Sequence, residues 1–205
     1  MKTTQEPLPL EALLDYLETV GAEQVEHTHG SLRAHLQGTY DLLSGWGCPQ
    51  AVCLAGLFHS VYGTEKFTTT TIPLDQRDTV RDRIGMEAER LVLLYSTLSR
   101  ASLYENLDHG WPYALRLRGG TTEAIDIGDL TALITLDFAN RLEQTHGPLT
   151  DIDRGVYRKA VPLLPAAAVT QLHHILTRRV PLADQARSVL RKMPGARRLK
   201  HALAR

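Results

Sequence analysis

Leucine at positions 10, 13, 14 and 17, with Val20, recurs every three or four residues and is followed by Gly21, which predicts an amphipathic helix with a glycine terminator. Ser31 reads as the N-cap of a second helix, whose inner stripe is Leu32, Leu36, Thr39 or Tyr40, Leu43 and Trp46, closed by Gly47. His35 lies on that inner face. Pro49 suits a first helical turn, and from Ala51 to Val61 nearly every position is apolar or small, so this third helix belongs at the centre of the fold. His59 and Ser60 interrupt the run near its C-terminal end, Tyr62 and Gly63 turn the chain, and the Thr-rich stretch from Phe67 to Pro73 reads as a loop.

Val80 and Ile84 before Gly85, then Ala88, Leu91, Val92, Tyr95 and Leu98, predict a short helix and a longer one. Residues 106–128 are less regular. Within them, Ala114 to Ile125 alternates around Gly119-Gly120, a hairpin signal. A helix from Asp129 to Gly147 carries Leu130, Leu133, Ile134, Asp137, Asn140 and Arg141; Thr150 and Asp153 form a capping box for the next, which runs to Leu164; Pro165 and Pro181 each open another. Eight or more helices beside one short hairpin near 114–125 define an all-α fold. We read residues 1–177 as the helical domain and 178–205 as a basic helical extension.

Composition narrows the class. The chain has 205 residues, 43% hydrophobic and 22% charged, which fits one folded domain and disfavours disorder. No apolar stretch approaches the ~20 residues of a membrane span, and the opening Met-Lys-Thr-Thr-Gln-Glu-Pro lacks an apolar core, so the expected location is cytoplasmic with no membrane partner. Cys48 and Cys53 lack the second half of a zinc signature and read as small buried groups in a reduced protein. The zero formal charge hides an asymmetry: residues 178–205 carry nine Lys or Arg and one acid, Asp184, against 14 bases and 22 acids elsewhere. Arg187, Arg191, Lys192, Arg197, Arg198 and Lys200 could meet phosphates, but no aromatic residue interleaves them, so nucleic acid is an unlikely partner and docking on the acidic body is the simpler reading. Homo-oligomerisation through this region is a further possibility.

The chain has no Gly-x-Gly-x-x-Gly, Walker loop, His-Glu-x-x-His or Gly-x-Ser-x-Gly, which disfavours those enzyme classes. Histidine placement is what remains. His27, His29 and His35 fall within nine residues, and His59 follows on the most apolar helix. A buried imidazole without a partner costs about 1–3 kcal/mol, so an inward pair at positions 35 and 59 must find partners or a ligand.

The run Gly30-Ser-Leu-Arg-Ala-His35-Leu-Gln-Gly-Thr-Tyr-Asp-Leu-Leu, followed by Leu54-Ala-Gly-Leu-Phe-His59-Ser60, resembles the HD-domain superfamily of α-helical metal-dependent phosphohydrolases. The resemblance is closest to the hydrolase domain of bacterial (p)ppGpp synthetase/hydrolases, whose later Leu-Ala-Asp-Arg-Leu-His-Asn run is matched in pattern by Phe138-Ala-Asn140-Arg-Leu-Glu-Gln144. It spans about residues 26 to 145, and the run His59-Ser60-Val61-Tyr62-Gly63-Thr64 is also similar to a bacterial HD-like group with His-Ser-x-Tyr-Gly-Thr in place of His-Asp.

The resemblance implies an HD-like helical bundle with metal ligands at His35, His59, Ser60 and Asn140. In the family the last two are Asp. The family's acidic pair is likewise absent at Gly63 and Thr64. Without those carboxylates Mn or Mg is not expected; the cofactor is none, or a single iron or zinc ion. His29 could complete a three-histidine set with His35 and His59, Asp137 could supply a carboxylate or instead pair with Arg141 at the surface, and Glu65 could reach back. The site residues expected are therefore His35, His59 and Asn140 as catalytic, with Ser60, Tyr62, Thr64, Glu65 and Arg141 around the substrate. The implied function is a variant HD-type enzyme acting on a small molecule; a non-catalytic small-molecule-binding domain comes second, and a nucleic-acid or protein adaptor using the basic segment third.

Overall fold

The structure, a computed structural model, describes residues 7–27, 30–144 and 149–177. His29, Gly147, Pro181 and the whole basic extension lie outside the described residues.

The first helix, α1 (Leu10–Thr19), buries Leu13, Leu14 and Leu17 and ends before Gly21, whose φ of 86° suits glycine. A two-residue ladder pairs β1 (Glu26–His27) with β2 (Gly30–Ser31). There α2 (Leu32–Gly45) begins, with the Ser31 hydroxyl accepting from the Ala34 N–H. Of the two residues the stripe left open, Thr39 is buried and Tyr40 only half-buried.

The central helix is α3 (Gln50–Phe58), every residue of which from Val52 to Phe58 is buried. Pro49 is its N-cap, one position earlier than the sequence pattern places it. Against α3 pack α2, α5 (Met86–Thr97) and α7 (Ile127–Glu143), while α4 (Arg77–Ile84) turns into α5 through Gly85. A short α6 (Arg100–Glu105), which the apolar pattern did not reveal, leads to the hairpin of β3 (Tyr113–Arg116) and β4 (Thr122–Ile125), in register Tyr113↔Ile125 to Arg116↔Thr122. Asn106 ties this hairpin to α6 by exchanging both hydrogen bonds with the Ala114 backbone, at 2.9 and 3.0 Å.

Helix α7 starts two residues before the expected Asp129, because Asp126 is the N-cap and Asp129 closes its capping box. The Thr150 and Asp153 box opens α8 (Asp151–Ala160) as expected, and α9 (Ala166–Thr177) follows Pro165. These last helices cover α7 and the end of α2. Trp46 stacks on Phe138 at 5.3 Å and donates to Gln171 at 2.8 Å, while Phe138 meets Tyr157 at 4.7 Å. The described residues thus form an all-α fold with a short antiparallel hairpin, and no described helix is long and apolar enough to cross a membrane.

Helices α2 and α3 pack closely at Gly56. A Cβ placed on Gly56 would lie 2.3 Å from Leu43 Cδ1, so a larger residue there would force the buried Leu43 side chain to shift. Gly56→Ala is therefore expected to destabilise by about 1–3 kcal/mol through overpacking. Gly45→Ala at the open end of α2, where an added Cβ meets nothing within 4 Å, should be neutral or stabilising by about 0.4–1 kcal/mol. Denaturant unfolding of both variants checks the contrast.

Candidate functional site

The tight α2–α3 contact sets two imidazoles edge to face. His35, in the first turns of α2, and His59, the residue after α3, are both buried; their ring centroids are 5.0 Å apart and their planes meet at 82°. Their Nε2 atoms face each other at 3.2 Å. His59 Nδ1 lies 2.8 Å from the Gly56 carbonyl, which can only accept, so this nitrogen carries a proton and a neutral His59 presents a lone pair at Nε2. His35 Nδ1 lies against the Glu143 carboxylate of α7. That contact likewise favours a proton on Nδ1 and leaves His35 Nε2 facing the lone pair of His59.

Two lone pairs do not face each other at this distance without something between them. Either His35 Nε2–H donates to the His59 lone pair, or both nitrogens address one cation. A separation of 3.2 Å also matches two nitrogens that ligate a single ion at about 2.0–2.1 Å each. Histidines that ligate through Nε2 commonly donate Nδ1–H to a carbonyl or carboxylate, the places held here by Gly56 and Glu143.

The Glu143 side chain passes over Gly38 to reach His35. A Cβ on Gly38 would lie 2.9 Å from Glu143 Cγ. One residue on, Gln144 Nε2 donates to Asn140 Oδ1 at 3.0 Å and lies 3.4 Å from His35 Nε2. Asn140 Nδ2 in turn donates to the Tyr95 hydroxyl at 2.9 Å. The imidazole pair is therefore continuous with a second buried network.

That network is centred on Asp137, which is fully buried. Its Oδ1 accepts from Tyr95 at 3.0 Å and pairs with Arg100 Nε at 3.3 Å; its Oδ2 accepts from Tyr104 and Tyr157, each at 2.8 Å. Arg100 also donates to the Tyr95 hydroxyl at 2.7 Å. Burial, reinforced by the Asp137 charge, pushes the Tyr104 and Tyr157 hydroxyls well above their ordinary pKa, and burial raises Tyr95 despite the nearby guanidinium. Burial opposes the charge of Arg100, but Tyr95 and Asp137 more than offset it.

The sequence-derived candidates divide accordingly. His35, His59, Asn140 and, beside His59, Ser60 belong to one buried region; the Ser60 Oγ has no hydrogen-bond partner among the described residues. Asp137 is not in a surface pair with Arg141, and with four donors on its two oxygens it is committed to the tyrosine–arginine network rather than free to face the imidazoles. Arg141 pairs instead with Asp153 at 2.7 Å. Tyr62 donates to the buried Glu89, which Arg77 also holds at 2.6 and 2.9 Å. Thr64 closes a turn with Phe67, and Glu65 does not reach back: its carboxylate accepts from the Arg100 backbone N–H at the start of α6. Cys53 and half-buried Cys48 are free thiols, and burial pushes Cys48 up to about 11, against reactivity at neutral pH.

Sequence reasoning missed Glu143, Gln144, Tyr95 and Arg100. For the first two a signal existed: they stand three and four positions after Asn140, on the same helical face.

A family model described as a domain of unknown function (DUF6817) matches residues 16–100, which include both histidines and end before Asn140 and Glu143. No curated protein and no solved structure matches the chain.

Replacing Arg100 by Met, which strands the Asp137 carboxylate, is expected to cost about 3–5 kcal/mol. Stability should also fall with alkali. Tyrosines whose folded pKa lies above the ordinary 10.0 contribute stability that is intact below pH 10 and declines above it, as unfolded hydroxyls release their protons first. Unfolding curves from neutral pH upward check the sign, and ultraviolet titration of the native protein should leave these three phenols protonated where free tyrosine ionises.

Proposed function

We propose that the chain is a variant HD-type enzyme acting on a small molecule, with His35 and His59 as its reactive pair. The observation that carries this reading is the convergence of two buried Nε2 atoms at 3.2 Å, each ring held from behind by a fixed partner. A purely structural pair of histidines does not require this alignment.

Among the described residues no group of three His, Cys, Asp or Glu stands together to hold a metal, so an ion here would rest on two imidazoles, a donor pair that suits zinc or iron better than manganese or magnesium. His35 and His59 would hold it through Nε2, and Ser60 and Asn140 bring no negative charge. When bound, such an ion supplies Lewis acidity and lowers the pKa of a bound water. The Gly56 carbonyl keeps the His59 proton on Nδ1, so its Nε2 stays available as a ligand or base. Glu143 orients the His35 ring. Asn140, Gln144 and Ser60 offer neutral donors and acceptors, which suit an uncharged or zwitterionic substrate better than a phosphate ester. Arg100 is committed to Asp137 and Tyr95 and supplies no anion site.

Zinc titration of the chelator-treated protein is expected to show one site per chain that His35→Gln or His59→Gln abolishes while each variant remains folded. Glu143→Gln, and Gly38→Ala by displacing the Glu143 side chain, should each weaken it about 10–100-fold. Ser60→Asp with Asn140→Asp should add manganese affinity. Unchanged zinc binding in both folded histidine variants would overturn the reading. If the site binds small molecules with no turnover under any metal, the non-catalytic binding domain replaces the enzyme.

A further inference from the structure

Away from the histidines, a groove of about 450 Å³ opens between the N-terminal end of α3, α5, the first turns of α7 and Pro165. Val52, Leu91 and Ala132 give it an apolar wall, and Ile127, half exposed to solvent, stands at its edge. Met86, beside the lining residue Glu87, is 60% exposed. The charged residues that line the groove are Glu87, Asp126 and Asp129, with no Lys or Arg among them. Arg90 engages Asp129, which leaves Glu87 and Asp126 to give the rim its sign. An apolar wall with an acidic rim is complementary to an amphipathic, basic segment.

The chain carries one such segment. Residues 178–205 hold nine bases and one acid. Within them Leu182, Ala186, Val189, Leu190 and Met193 recur at helical spacing, bounded by Pro181 before and Pro194-Gly195 after. On that spacing Arg191 falls opposite the apolar stripe. The lengths also agree. Helix α9 starts just after Pro165 at the groove and runs 12 residues, about 18 Å, to Thr177. The stretch 182–193 matches it, so a chain that reverses through 178–181 brings Met193 back to the level of Pro165 and the groove.

We propose that the groove is the docking site of this chain's own residues 182–193, with the apolar stripe against Val52, Leu91 and Ile127 and the flanking Arg187 and Lys192 toward Glu87 and Asp126. This does not depend on the histidine site. It gives the charge separation between tail and body a definite contact.

The test is site-specific disulfide trapping in the full chain with Cys48→Ser and Cys53→Ala, fold confirmed by circular dichroism. Ile127→Cys with Met193→Cys should cross-link within the monomer, independent of dilution and at least several-fold more than Ile127→Cys with Arg191→Cys. Zero-length carboxylate–amine coupling of the unmodified chain is the second measurement, expected to join Lys192 to Glu87 or Asp126 within one chain and to weaken as salt is raised. Equal trapping at positions 191 and 193, or coupling of Lys192 only to acids away from the groove, would overturn the proposal. So would cross-links confined to dimers, which would assign the groove to a second copy.

Discussion

The contact between α2 and α3 at Gly56 sets the geometry from which the rest of the site follows. With no Cβ at this position, Leu43 packs into the face of α3, and the two helices lie close enough for His35 on one and His59 at the end of the other to meet at 3.2 Å. The same glycine supplies the carbonyl that fixes the His59 proton. One residue thus governs both the spacing of the imidazoles and the direction of a lone pair. Glycine at position 38 plays the matching part on the other side of α2, leaving room for Glu143.

Charge in this interior is partitioned. Of two deeply buried carboxylates among the described residues, Glu89 is held by Arg77, and Asp137 is neutralised by Arg100 and three tyrosine hydroxyls and ties together α5, α6, α7 and α8. Such a network is stable only when complete, because removal of one partner leaves an uncompensated charge in a medium of low dielectric. Around the imidazoles the groups are the neutral Ser60, Asn140 and Gln144, with Glu143 as the local negative charge. Asn140 belongs to both sets, accepting from Gln144 and donating to Tyr95. A substitution there is therefore coupled to the Asp137 network as well as to the site.

Much of the fold was legible because it rests on local rules. Periodicity located α1, α2, α5 and the core of α7; the all-apolar run marked α3 as central; Ser31, Thr150 and Gly21 marked helix ends. What escaped was set by pairing across the chain. Helix α6 is six residues long, too short for a periodic signal, and its Arg100 is identifiable only once α7 places Asp137 opposite. The inward pair of His35 and His59 was readable from faces, yet Glu143 was not assigned to it, because its role depends on space left by Gly38 more than a hundred positions earlier. Tyr62, Thr64 and Glu65 follow His59 closely in sequence, but Tyr62 turns to Glu89, and beyond the Gly63 turn Thr64 and Glu65 meet other partners.

His35 and His59 present their Nε2 atoms to a common point. Two-dimensional ¹H–¹⁵N correlation of the imidazole rings tests it most directly, with each of the two residues assigned through its own substitution. The expected spectrum has His59 as the Nδ1–H tautomer with an unprotonated Nε2, and the Nε2 resonances of both His35 and His59 displaced together on addition of one equivalent of zinc. An Nε2–H tautomer at His59, or zinc-induced shifts confined to other histidines, would contradict it.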